Sequence, residues 1–164
     1  MNLQSPPPLE IDYHGYRLIN VYQRITPEQC EEVIRFWQKN NAISDLDELQ
    51  RRTSQVVFMV RDPQEQVCGI STVYIQNLTP GNPYYFYRMF IQPMDRISGM
   101  MRVITESTRH YLHHATLPNK PLGMIIVTEN QKLMREGMKR MFTRHNYEYM
   151  GLSPKGLDMW RVNF

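Results

Sequence analysis

The stretch of sequence that decides the fold reads Met89-Phe90-Ile91-Gln92-Pro93-Met94-Asp95-Arg96-Ile97-Ser98-Gly99-Met100-Met101. An aromatic-rich strand is predicted over residues 84–92, and a helix is predicted over residues 98–114. A strand, a short loop and a helix N-terminus form a ready anion site, because the first N–H groups of a helix lack partners and its dipole adds partial positive charge. The stretch therefore predicts a phosphate-binding turn.

Two residues of this turn have properties that suit a phosphate ligand. Gly99 has no side chain, so a phosphate can approach the backbone closely there. Arg96 can add charge-assisted hydrogen bonds. The alternative is an ordinary strand-to-helix turn that binds no ligand.

The remaining sequence predicts one mixed α/β unit in the order β-α-α-β-β-β-α-β-α-β-β. Residues 1–12 contain three consecutive prolines and predict an extended N-terminal arm, which leaves residues 13–164 as the domain. Thr26, Pro27 and Gln29 form a helix-start signal, and residues 77–83, with two prolines and a glycine, predict a loop. We expect a central, mostly antiparallel mixed sheet of about seven strands flanked by about four helices.

The turn resembles the acyl-CoA loop of the GNAT acyltransferases, whose pattern is V-x-P-x-x-Q/R-x-x-G-x-G/A. The matching positions are Ile91, Pro93, Arg96 and Gly99, and the departure is Met101. The element order over residues 16–164 also resembles that family. The resemblance implies a single GNAT-like acyl-CoA-binding domain that uses acetyl-CoA, or another acyl-CoA, as co-substrate.

The resemblance also implies which residues bind the cofactor. Backbone groups for the pantetheine arm would come from Met89, Phe90 and Ile91. The pyrophosphate would bind the side chain of Arg96 and the N–H groups of Ile97, Ser98, Gly99, Met100, Met101 and Arg102. The long side chain of Met101 leaves two outcomes open: it faces the sheet and leaves the backbone donors intact, or it narrows the loop.

The catalytic end departs further from the family. In GNAT enzymes an amine attacks the thioester directly, and a tyrosine four residues before a Gly-Phe pair often protonates the leaving thiolate. Here Asn146-Tyr147 stands in place of Gly-Phe, so Phe142, which has no proton to give, occupies the tyrosine position. Glu129, beside Asn130 at the end of the fifth predicted strand, is the candidate general base. Its alternative role is a helix-initiating carboxylate.

The sequence contains a histidine cluster, but we do not expect it to bind a metal. His110, His113 and His114 share one predicted helix, and paired histidines at this spacing can bind zinc. No ligand from a second segment is evident, and histidines near a helix C-terminus interact favourably with its dipole in any case.

Composition narrows the classes of partner. The formal net charge is +3 without a basic stripe, which disfavours nucleic acid and suits an anionic ligand. No apolar run is long enough to span a membrane, no signal peptide is evident, and the two cysteines show no C-x-x-C spacing. We therefore expect a cytoplasmic protein.

Two functional hypotheses follow from the resemblance. The first is an acyl-CoA-dependent N-acyltransferase that transfers acetyl from acetyl-CoA to a primary amine by direct attack, with a small molecule or a protein as acceptor. The second is a catalytically inactive GNAT-like fold that serves as a binding or assembly module, similar to phage-encoded, virion-associated proteins of this kind. A protein partner or a homodimer fits either hypothesis.

Overall fold

A computed structural model of the protein describes residues 4–129 and 136–164. The elements are β1 (Glu10–Tyr13), β2 (Tyr16–Asn20), α1 (Pro27–Lys39), α2 (Leu46–Thr53), β3 (Val56–Arg61), β4 (Val67–Thr79), β5 (Asn82–Ile91), α3 (Met100–His114), β6 (Gly123–Val127), α4 (Glu136–Arg144), β7 (Glu148–Leu152) and β8 (Asp158–Asn163). A 3₁₀ turn, Pro93–Asp95, lies between β5 and α3.

The strands form a mixed sheet in the order β1-β2-β3-β4-β5-β6-β8-β7. The pairing of β5 with β6 is parallel, whereas β1-β2, β2-β3, β3-β4, β6-β8 and β7-β8 are antiparallel. The α/β class, the four helices and the mixed sheet are as predicted, with eight strands in the described residues rather than about seven. The described chain divides into two compact units, residues 4–73 with 89–115, and residues 74–88 with 116–129 and 136–164.

In the first unit, α1 begins where the sequence predicts. The Thr26 hydroxyl accepts a hydrogen bond from the Gln29 amide at 3.2 Å, and the Gln29 side chain accepts one from the Thr26 amide at 2.9 Å. This reciprocal capping satisfies two N–H groups that the helix itself cannot satisfy. The buried face of α1 then packs Val33 and Trp37 into a core cluster that includes Ile70 of β4.

The additional strand is β1, which lies partly inside the predicted N-terminal arm. Tyr13 pairs with Tyr16 across a tight turn in which His14 and Gly15 both have positive φ, 51° and 83°. Such a turn matches the twist of a two-stranded hairpin. Residues 10–12 are therefore paired with β2 rather than part of a free arm, while the division between arm and domain stays a prediction.

The prediction of a loop over residues 77–83 is wrong. β4 continues to Thr79 and β5 begins at Asn82, so only Pro80 and Gly81 connect the two strands. Gly81 adopts a φ of 78°, a conformation that glycine reaches without steric cost. Proline and glycine thus mark a tight turn here rather than a long connection.

The second unit packs around aromatic side chains. The ring of Phe142 from α4 lies 5.1 Å from the Trp160 ring of β8 and 5.6 Å from the ring of Tyr147. Asn146 follows α4 with a φ of 64°, a left-handed conformation that asparagine adopts at helix ends. Residues 130–135, which precede α4, lie outside the described residues.

A membrane-crossing helix would need a long apolar segment. None of the helices within the described ranges has the length and apolar character to cross a membrane.

We predict that Gly123→Ala destabilises the fold, by about 3 kcal/mol or more. A Cβ at Gly123 would overlap the carbonyl oxygen of Val162 and lie 2.8 Å from the Asn163 Cα, both backbone atoms of the paired strand β8. Urea unfolding of the two proteins measures the difference. The matched control is Gly137→Ala in α4, where a Cβ meets nothing within 4 Å and should stabilise the helix by about 0.5–1 kcal/mol. Equal effects of the two substitutions would contradict the prediction.

Candidate functional site

The candidate site is the turn between β5 and α3. The Gln92 amide donates to the Cys68 carbonyl of β4 at 2.9 Å, which fixes the end of β5. The chain then makes the 3₁₀ turn and reaches Gly99, the N-cap of α3, at φ 80° and ψ −10°. Within residues 4–129 and 136–164, no side chain caps this helix end, which leaves its N-terminal donors available to a ligand.

Of the six N–H groups from 97 to 102, two are used locally. The Ile97 amide donates to the Asp95 carbonyl at 2.9 Å, and the Met100 amide donates to the Ile97 carbonyl at 3.2 Å. The other four find no acceptor within residues 4–129 and 136–164, and they belong to Ser98, Gly99, Met101 and Arg102. Four donors at one helix N-terminus can satisfy the oxygens of an anion such as a pyrophosphate.

Arg96 also lies in this turn and makes a contact that the sequence did not predict. Its Nε donates to the Ile91 carbonyl at 2.8 Å, and its guanidinium lies 5.8 Å from the centroid of the Phe90 ring. The side chain is exposed, and the rest of its fork has no acceptor in the described residues. Arg96 is therefore held beside the turn with donors left for an anion.

The departure at Met101 leaves the donor groups intact. Met100 is the fully buried residue of the first turn of α3, and Met101 is only partly buried. The Met101 amide is one of the four without an acceptor in the described residues. This donor is therefore available, and the binding role of Met101 stays a prediction.

The β1-β2 hairpin holds the turn from one side. The Tyr13 hydroxyl donates to the Ser98 carbonyl at 2.9 Å, and the Tyr16 hydroxyl donates to a carboxylate oxygen of Asp95 at 2.9 Å. Gln92 donates to the other oxygen of Asp95, whose side chain is buried. A Cβ on Gly99 would overlap the Tyr13 hydroxyl. On that side of Gly99, the Tyr13 side chain occupies the space in which the sequence predicted a phosphate.

The buried carboxylate changes the titration of its neighbours. Its hydrogen bond from Tyr16, together with burial, raises the pKa of Tyr16 to about 12. Burial, and then the charges of Asp95 and Asp62, raise the pKa of the Cys68 thiol to about 12. Both groups are therefore neutral at physiological pH, and neither is an activated nucleophile.

The residues expected to bind pantetheine lie where β5 leaves its parallel partner. Pairing with β6 covers Tyr85 to Tyr87, whose last partner is Ile126. Met89, Phe90 and Ile91 follow on the same strand, beyond the register of that pairing. Within this segment, the Ile91 carbonyl already accepts the hydrogen bond from Arg96 Nε. The binding roles of these three residues stay predictions.

The structure offers fewer candidate groups for catalysis than for cofactor binding. Glu129 is exposed directly after the buried Thr128, and Asn130 lies outside the described residues. Phe142 is 3% exposed and packs on Trp160, so the ring at the family's tyrosine position belongs to the aromatic core. The role of Glu129 as a general base stays a prediction.

Sequence reasoning missed a buried acid next to Thr128. Asp158, at 2% exposure, accepts a hydrogen bond from the Tyr149 hydroxyl at 2.9 Å through Oδ1, while its Oδ2 has no partner in the described residues. This hydrogen bond raises the pKa of Tyr149. The Thr128 amide and hydroxyl both donate to the Asp158 carbonyl, at 3.0 and 3.2 Å. Only the β6–β8 pairing brings these residues together, so no local pattern indicates the cluster.

The histidines of α3 contact one another and the N-terminal segment. His110 Nε2 lies 2.8 Å from the Ser5 carbonyl, and the His110 and His114 rings are 5.1 Å apart. Among the residues that the structure describes, no three His, Cys, Asp or Glu side chains are grouped so that they could hold a metal ion.

Comparisons with known proteins place the fold. No protein-family model and no curated protein matches the sequence. Solved structures do match: the GNAT domain of S. lividans PAT, at 10% identity and TM-score 0.64, over 91% of this chain and 90% of that one. The ribosomal-protein-S5-alanine acetyltransferase from Vibrio fischeri matches at 11% identity and TM-score 0.61, over 94% of both chains.

A third similar structure is that of Arabidopsis thaliana NAA60 in complex with a bisubstrate analogue, at 11% identity and TM-score 0.59, over 91% of this chain and 99% of that one. Identities this low demonstrate a shared fold and nothing finer. The chain therefore has a divergent GNAT fold, as the sequence resemblance indicated.

We predict that Gly99→Ala is more destabilising in the natural chain than in a Tyr13→Phe background. Left-handed strain costs about 1–2 kcal/mol in both backgrounds. Overlap with the Tyr13 hydroxyl adds to it only when that oxygen is present, because the next atom, Tyr13 Cζ, would be 3.5 Å away. A double-mutant cycle in urea measures the coupling, expected to be at least about 1 kcal/mol. Identical penalties in the two backgrounds would rule out this contact.

We predict a stability loss in alkali that depends on Tyr16. Its pKa of about 12 lies above the ordinary value of 10, so its contribution is fully present below pH 10 and is lost as the pH rises through 12. Unfolding free energies measured from pH 9 to 12 should fall more steeply for the natural chain than for Tyr16→Phe. Tyr74→Phe is the control, and parallel curves for all three proteins would refute the prediction.

Proposed function

We propose that this protein binds acyl-CoA with the pyrophosphate on the turn between β5 and α3. The observation that carries the proposal is the set of four amides, from Ser98, Gly99, Met101 and Arg102, that have no acceptor in the described residues. Arg96 supplies a cation beside them. A diphosphate carries the charge and the acceptor oxygens that such a group of donors binds best.

The proposed reaction is acetyl transfer from acetyl-CoA to a primary amine, in the cytoplasm. The amine nitrogen bonds to the thioester carbonyl carbon, the C–S bond breaks, and CoA leaves as a thiolate. The nitrogen gives up one proton, for which exposed Glu129 is the candidate acceptor, and the thiolate takes a proton from water. Phe142 is excluded from this proton transfer by its chemistry and its burial. The acceptor amine can belong to a small molecule or to a protein, and the proposal does not specify which.

The second candidate is a binding or assembly module without turnover. The observation that favours it is Phe142, which the aromatic core buries at the position where the family resemblance expects a proton donor. This candidate keeps the acyl-CoA site and loses the reaction, so binding and turnover have to be measured separately.

We predict that CoA and acetyl-CoA bind in the micromolar range, of order 8 kcal/mol, in isothermal titration calorimetry. Ser98→Asp should weaken binding at least tenfold, because a carboxylate at this helix start repels the pyrophosphate and competes for the same amides. The control is Ser98→Asn, which has the same size and no charge. Absence of heat with the natural chain would overturn the proposed function.

Arg96→Ala provides a second test of the same site. It removes the cation and should weaken CoA binding about tenfold or more. Arg35→Ala is the matched control, because Arg35 is also exposed and its Nε also donates to a backbone carbonyl, that of Glu31. Equal losses in the two variants would indicate a general charge effect.

A separate assay distinguishes an enzyme from a binding module. It measures thiol release from acetyl-CoA with a panel of amines.

A further inference from the structure

Arg88 on β5 is held in place by aromatic stacking. Its guanidinium carbon lies 4.3 Å from the centroid of the Tyr74 ring, and the Tyr74 ring stacks on Phe86 with centroids 5.4 Å apart. Phe86 and Arg88 are two residues apart on one strand, so they share a face of the sheet. All three side chains are partly buried, which limits the orientations that the guanidinium can adopt.

The charge of Arg88 has no anionic partner in the described residues. Stacking on Tyr74 uses the face of the guanidinium and leaves its N–H groups, which lie in the plane, free to donate. Two other arginines differ: the partly buried Arg61 pairs with Glu32 at 2.7 Å, and the buried Arg109 pairs with Glu106 at 3.4 Å. A partly buried cation with an oriented and unused fork is suited to a planar anion.

The position of Arg88 along β5 indicates which anion it would meet. Arg88 is the first residue beyond the parallel pairing with β6, and it directly precedes the segment expected to bind pantetheine. With the pyrophosphate at residues 98–102 and pantetheine along residues 89–91, the thioester end of the cofactor lies toward Arg88. This step rests on the proposed function. The anion in question therefore belongs to the reacting molecules rather than to the CoA phosphates.

We propose that Arg88 is a carboxylate-binding residue beside the reacting thioester, so that one of the reacting groups carries a carboxylate. The favoured source is the acceptor, an amine with a carboxylate next to it, as in an amino acid. A bidentate pair with the guanidinium would fix the amine at a set distance from the thioester. The same chemistry could come from a dicarboxylic acyl chain, and the experiment distinguishes the two sources.

The first test is independent of turnover. The side-chain Nε–H signals of arginine are recorded by NMR, and the signal that disappears in Arg88→Lys identifies Arg88. N-acetylglycine, the smallest acylated amino acid, should shift the Arg88 signal, whereas N-acetylglycinamide, which lacks the carboxylate, should not. The Arg35 signal is the internal control. A shift with succinyl-CoA alone, but not with acetyl-CoA, assigns the carboxylate to the acyl chain. No shift with either carboxylate overturns the proposal.

The second test uses Arg88→Met, which keeps the length and the apolar stem of the side chain against Tyr74. For an amino acid and its amide as acceptors, the natural chain should prefer the amino acid. The variant should lose at least tenfold in kcat/KM for the amino acid and less than twofold for the amide. An unchanged preference refutes the proposal. Equal losses for both acceptors indicate a structural role only and also refute it.

Failure of this proposal is distinguishable from failure of the proposed function. If the natural chain gives no heat with CoA, the proposed function fails, and the NMR titration with N-acetylglycine alone still decides whether Arg88 binds a carboxylate. If CoA binds to the natural chain and to Arg88→Met equally, but neither N-acetylglycine nor succinyl-CoA moves the Arg88 signal, the proposed function stands and this inference fails.

Discussion

The buried carboxylate of Asp95 is the constraint on which the candidate site depends. A carboxylate out of water is costly unless hydrogen bonds satisfy it, and here Tyr16 and Gln92 do so. Those bonds attach the N-terminal hairpin to the turn, and the Tyr13 hydroxyl adds a third attachment at the Ser98 carbonyl. The hairpin thus holds one side of the turn in place, while four amides of the turn have no acceptor in the described residues. A preformed anion site needs both properties, because donors that must first be ordered bind weakly.

The proposed function also tolerates the substitution at Met101. A phosphate at this turn would bind backbone amides, so the Met101 side chain would matter only if it blocked or redirected an amide. Met100 takes the buried position of the first helical turn, and the Met101 amide stays without an acceptor in the described residues. A substitution at the position of the proton donor would not be tolerated in this way. Proton transfer needs a particular side chain, and Phe142 lacks the hydroxyl that the reaction would use.

The proposed site would therefore use two kinds of contact. In the turn after β5, recognition would use main-chain groups whose positions follow from the strand, the turn and the helix in sequence. At Arg88 it would use a side chain oriented by rings on two strands. A cation held face-on by Tyr74 keeps its planar donors for a planar partner. Specificity for the reacting group would then be set by residues outside the loop that resembles the family.

The sequence by itself determined the element order from β2 onward, the capped start of α1 and the turn from β5 to α3, because each depends on neighbours within a few positions. It did not reveal β1, a strand of only four residues whose pairing depends on the His14-Gly15 turn. Only the tertiary structure brought Tyr13 to Ser98, Tyr16 to Asp95 and Thr128 to Asp158, contacts that join residues 30 to 85 positions apart. Such contacts arise from strand pairing and packing, and no local pattern of residue types encodes them.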